Sequence, residues 1–181
     1  MALFRVQVFY ERGLTGKWTN VWHTDAADII AADNAFATVM EPHLLAMLDS
    51  SCNLVKYLVS DPATDAFVID PRNEAGTSTG SGDLLPLYNT AKVFFDPAGF
   101  GRPDYKFFKG FVTESLQTNG VLQTTAQTYV ETECSDMVTD MAANSTPLVA
   151  DDGSAYSAVS VQPNVQMRQM HRRRKKVTPT P

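Results

Sequence analysis

The chain has only two cysteines and three histidines in 181 residues. Cys52 and Cys134 each lie inside an apolar periodic segment, with no CxxC and no neighbouring His. Buried thiols are therefore expected, rather than a disulfide framework or a thiolate metal site, and such use fits a reducing compartment. His23 falls at a strand end, His43 in the first turn of a helix and His171 inside a basic run, none with a carboxylate or Cys at ligand or triad spacing. No stretch approaches about 18 uninterrupted apolar residues. The opening MALFRVQVFYERG reaches charge at Arg5, so neither a membrane-crossing helix nor a secretory signal is expected.

Catalytic signatures are equally scarce. There is no GxSxG, and the stretch PRNEAGTSTGSGD at 71–83 has neither GxGxxG nor GxxxxGK[ST] spacing, nor a Lys after its last Gly. Made of turn formers, it reads as a mobile surface loop. Asp151 and Asp152 before Gly153 form a turn, Asp61 and Asp65 bracket another, and neither continues as a calcium loop. The expectation is a protein that is not an enzyme, with no catalytic residue, cofactor, metal, small-molecule substrate or membrane partner.

What is present is strand alternation. In ALFRVQVFY, Phe4, Val6, Val8 and Tyr10 share one face, and WTNVWH after the turn ERGLTGK makes a hairpin partner carrying Trp18 and Trp22. Asp25 reads as the cap of a helix with Ile29, Ala32, Phe36 and Met40 at helical spacing, interrupted at Pro42, where a second short helix, PHLLAMLD, begins. NLVKYLVS and AFVID form a hairpin about DPAT; AKVFFD and YKFFKGFVTESLQ flank FGRP; Asn119-Gly120 is a two-residue turn signal. A longer helix carries Ala126, Val130, Cys134, Met137 and Met141 along one face and ends near Asn144, and a last strand runs through Val159, Val161, Val165 and Met167. About eight strands with hairpin-length connections and no βα alternation favour an antiparallel two-sheet sandwich, an eight-stranded jelly roll with two helical insertions. Its first and last strands are neighbours. The alternative is an α+β sandwich in which one curved sheet is covered by two helices.

Charge is distributed unevenly. Residues 1–167 hold all 20 acidic and 9 of the 15 basic residues, a net of −11, whereas six Lys and Arg and no acid follow from Arg168 onward. The division expected is one β-rich domain over 1–170 and a flexible basic tail over 171–181. Arg168, His171, Arg172, Arg173, Arg174, Lys175 and Lys176 are the candidate phosphate contacts, since a cationic arm binds nucleic acid through counterion release. A nuclear-import signal or a merely solvated tail are the plainer readings of the same run. One strand interleaves cations with aromatics: Arg102, Tyr105, Lys106, Phe107, Phe108, Lys109 and Phe111. Arg102, Lys106 and Lys109 are secondary candidates beside a stacking face, although alternation buries part of this set.

The blocks MALFRVQVFY, SGDLLPLYNTAKVFFD, FGRPDYKFFKG and VSVQPNVQMRQMHRRRKK together resemble the small capsid proteins encoded beside a replication protein in circular single-stranded DNA virus genomes. The resemblance spans essentially the whole chain as a succession of blocks. It implies a coat protein of the virion that partners itself in an icosahedral shell around a single-stranded DNA or RNA genome, with the host nucleus as a station during assembly. Circovirus-like coats carry their basic arm at the N-terminus, whereas here Met1 leads straight into the first strand; neighbouring first and last strands would let either end serve. In a minimal shell of about 60 copies, +6 per tail gives roughly 360 charges against on the order of 2,000 phosphates, so tails alone do not neutralise the genome. A nucleic-acid-binding accessory protein, or a virion component without genome contact, are the competing functions.

Overall fold

The computed structural model describes residues 2–12, 16–48, 52–64, 66–69, 76–77, 90–97, 104–109, 117–118, 121–122 and 124–161. β1 (Ala2–Arg12) and β2 (Gly16–Ala26) pair without a register shift from Ala2↔Ala26 to Arg12↔Gly16. The period of two sends Phe4, Val6, Val8 and Tyr10 of one strand and Trp18, Asn20, Trp22 and Thr24 of the other to the interior. β3 (Cys52–Ser60) takes the other side of β1, and β4 (Phe67–Ile69) and β5 (Gly76–Thr77) pair with β3. Thus Gly76–Thr77, inside the expected surface loop, lies along a strand; the rest of 71–83 falls outside the described residues. β10 (Leu148–Val149) closes the order β10-β2-β1-β3-β4.

A second, three-stranded sheet has the order β11-β6-β7, from β6 (Thr90–Pro97), β7 (Asp104–Lys109) and β11 (Tyr156–Val161). β8 (Gln117–Thr118) pairs with β9 (Val121–Leu122) through Thr118↔Val121, which leaves Asn119-Gly120 as the two connecting residues. The sheets meet where Phe95 packs edge-on against Trp22, ring centroids 5.1 Å apart at 82°, and against Tyr156 at 5.3 Å. Among the described residues the fold is mainly β, with antiparallel sheets and two helical stretches, consistent with a β-sandwich. Among the described residues, the neighbouring first and last strands expected of a jelly roll do not occur. β1 has both edges occupied, by β2 and β3, while β11 stands at the edge of the other sheet beside β6.

The first helical stretch corrects two expectations. Asp25 is not its cap: β2 continues to Ala26, and the Asp25 N–H donates to Pro147 O at 3.0 Å. The cap is Asp28, whose Oδ1 accepts from the Ala31 N–H at 2.8 Å. Nor does Pro42 end the helix. α1 (Ile29–Ala35) runs through a π-helical turn, Phe36–Met40, into α2 (Glu41–Met47), with the Glu41 N–H bonded to Phe36 O. Buried Ala32, Phe36, Met40 and Leu44 repeat every four residues. In a 3.6-residue helix that stripe would drift by about 40° per step. The wider turn takes up the drift just ahead of the proline, which sits where its missing N–H costs least. Phe36 packs on Tyr57 of β3 at 4.0 Å, so this helix covers the large sheet.

α3 (Thr124–Ala143) buries Val130, Cys134, Met137 and Met141 as their spacing predicts. Its end is a Schellman turn: Thr146 N–H donates to Met141 O and Ser145 N–H to Ala142 O, both at 3.0 Å, with Ser145 at φ 60. Thr24 Oγ1 then donates to Thr146 O at 2.8 Å, fastening this end of α3 to β2. No described helix is long and apolar enough to cross a membrane.

Candidate nucleic-acid interface

β7 belongs to the cation-and-aromatic strand that the sequence singled out, and its register with β6 sets which residue goes where. Phe94↔Tyr105 and Val93↔Lys106 are cross-strand partners, so Lys106 shares the inner face with Val93 and Phe95. Lys106 is 7% exposed. Its ammonium donates to Asp104 Oδ2 and stands 5.2 Å from the Trp22 ring centroid. The same Asp104 oxygen accepts from Tyr156 Oη at 2.8 Å, and Oδ1 accepts from the Tyr105 N–H at 2.8 Å.

The electrostatics follow from burial. Burial pulls the Lys106 ammonium below its ordinary range, and Asp104 beside it only partly restores it. For Asp104, burial works upward, but the hydrogen bonds from Lys106, Tyr156 and the Tyr105 amide outweigh it and hold the carboxyl low. Burial and the Asp104 carboxylate push Tyr156 up, while burial and then repulsion from Lys106 push His23 down. Lys106 is therefore an internal counter-ion. Its expected role as a phosphate contact is corrected, because the alternation that exposes Tyr105 turns Lys106 inward.

The outer face is different. Lys92 stands over two rings, 4.2 Å from the centroid of Tyr105 and 4.6 Å from that of Phe94, and those rings lie 6.3 Å apart. Tyr105 is 49% exposed. A cation beside an exposed ring is the arrangement that meets a phosphate and a base together. Sequence reading missed Lys92, although Lys92 and Phe94 at i and i+2 place both on one strand face. Lys109 ends β7; Arg102, Arg168, His171, Arg172, Arg173, Arg174, Lys175 and Lys176 lie outside the described residues.

Two other polar clusters bear on function. His43 Nδ1 is 3.0 Å from Glu133 Oε2 and its Nε2 is 3.2 Å from Asp140 Oδ2, joining α2 to two carboxylates of α3. A sequence separation of 90 residues or more hid this group. No group of His, Cys, Asp and Glu among the described residues could hold a metal ion. Cys134 is a buried thiol 3.6 Å from Met47 Sδ, its ionisation pushed up by burial. In comparisons with known proteins, no family model, curated protein or solved structure matches the chain.

Proposed function

We propose that the chain is a viral coat protein that self-assembles into an icosahedral shell and packages single-stranded DNA through its basic C-terminal tail. The observation that carries this reading is the charge partition: net −11 over residues 1–167 against six cations and no acid beyond. An acidic body repels polyphosphate while a cationic arm collects it, so contact is concentrated in the tail and is blind to sequence. The two-sheet body supports the reading as the rigid unit from which a shell is built. The jelly roll enters only in that coarser sense, since β1 lies between β2 and β3 while β11, the last described strand, belongs to the other sheet. Lys92, Phe94 and Tyr105 add a second, weaker contact on the small sheet.

Deleting residues 172–181 removes five cations. The folded body is expected to keep its thermal transition, while the slope of log K against log salt for single-stranded DNA becomes shallower by about 3.5, at about 0.7 per phosphate contact. An unchanged slope overturns the role of the tail. Electron microscopy of the full chain separates shell from accessory protein: closed particles support the coat, and a small species that binds DNA supports the accessory reading.

A further inference from the structure

The large sheet ends at β2, and only part of that edge is covered among the described residues. β10 pairs with Thr24 and His23, and Pro147 accepts from Asp25. Beyond Val149 the chain turns back on itself. Ala150 N–H donates to Ser154 O at 2.8 Å, Gly153 N–H donates to Ala150 O at 3.0 Å, and Gly153 takes a φ of 85, a conformation a side chain would strain. Pairing with β2 therefore stops at His23. Along a strand, the N–H and C=O of alternate residues point to the same side. Since the Asp25 amide points to β10, the groups of Val21, Thr19 and Lys17 point the same way, past the end of β10. No strand among the described residues meets them.

We propose that this open edge, Lys17–Val21, docks a second copy of the chain by antiparallel strand addition about a two-fold axis at Thr19. The geometry is self-complementary. Thr19 faces its own symmetry mate and Lys17 faces Val21 in both directions, so three residue pairs exchange two hydrogen bonds each. All six outward backbone groups of each copy are satisfied, with none left over. No like charges meet across the axis, and a Thr opposite a Thr is a favourable cross-strand pair. The devices that normally protect an edge are weak here. β2 has no bulge or proline, and its edge lysine is drawn to Glu11 of its own hairpin at 3.5 Å. Thr19 and Lys17 are exposed, whereas Trp18, Asn20 and Trp22 face the core, so the added strand disturbs no buried side chain. The turn at 151–153 limits the contact to five residues. A two-fold contact this short suits an assembly in which many weak contacts act together. The shell rests on the function proposed above; the strand pair itself does not.

Single cysteines in the full chain test the register, with the parent chain setting the background. Under mild oxidation Thr19→Cys is expected to give covalent dimers, because paired Cα atoms there lie about 5.5 Å apart. Lys17→Cys and Val21→Cys are expected to fail alone and to cross-link when mixed. Thr19→Pro removes an outward N–H without touching the β1 ladder, and Thr19→Lys apposes like charges. Each is expected to weaken self-association by about 30-fold or more in sedimentation, the first through two lost hydrogen bonds per pair. If Thr19→Pro loses its thermal transition, Thr19→Lys decides. Self-cross-linking of Lys17→Cys as readily as Thr19→Cys, or association indifferent to Thr19→Lys, overturns the inference. Particles that ignore Thr19 leave the coat reading standing without this edge. Dimers that depend on Thr19 but never close into particles leave the edge standing without the coat.

Discussion

The two faces of β6 and β7 hold the same chemical pair, a lysine over aromatic rings, in opposite circumstances. Outside, Lys92 lies over Tyr105 and Phe94 at a ring that is half exposed. Inside, Lys106 lies over Trp22 with Asp104 and Tyr156 closing around it. Water makes the difference. A partly exposed ammonium exchanges partners at lower cost than a buried one, which is held by the carboxylate that came in with it. Composition does not separate the two lysines; strand parity puts them on opposite faces, and packing decides which face is covered.

Breaking the inner face should have the largest effect. Trp22→Ala removes the indole that joins the two sheets and is expected to cost about 3–5 kcal/mol, read as a shifted midpoint in urea. A shift below about 1 kcal/mol would mean that the sheets do not depend on one another. Next comes Asp104→Asn, which leaves Lys106 charged and buried without its counter-ion. The expected loss is about 3 kcal/mol, at the lower end for a broken buried pair because Asp104 is only half-buried. The double variant Asp104→Asn with Lys106→Met is expected to return to within about 1 kcal/mol of the parent. Failure of that rescue would show that the carboxylate matters mainly through Tyr156. The smallest effect belongs to the outer face: Lys92→Ala should shift stability by about 0.5 kcal/mol. A loss there as large as that of Asp104→Asn would erase the contrast between the faces.

Much of the body was legible because burial in strands and helices follows simple periods. Phe4, Val6, Val8 and Tyr10 are inside as their alternation requires, as are Val130, Cys134, Met137 and Met141 at helical spacing. Asn119-Gly120 joins two paired strands. What was illegible depends on distant chain. Asp25 resembles a cap in every local respect, yet Pro147 holds it in the sheet. Parity groups Lys106 away from Tyr105, but nothing local says which of the two faces is covered. His43 gains Glu133 and Asp140 only once α2 and α3 pack together. The jelly-roll adjacency came from counting strands, and a strand count does not fix which edges meet.

The latch between Thr24 and Thr146 spans 122 positions, whereas β1, β2 and β3 are complete by residue 60. Contacts that close long loops form late, because the entropy of closure must be met before the bond rewards it. On a ribosome the three-stranded centre of the large sheet can form long before α3 has been made, and the edge at β2 stays open until β10 arrives. We therefore expect, in pulse-labelled hydrogen exchange during refolding, that the Asn20 and Trp22 amides gain protection before that of Asp25. Simultaneous protection would show that the sheet and its latch form in one step. In the expected order the nascent chain exposes a longer bare edge than the finished protein, including the stretch from Lys17 to Val21. Crowded synthesis, rather than the mature subunit, is then the stage at which copies first risk meeting edge to edge.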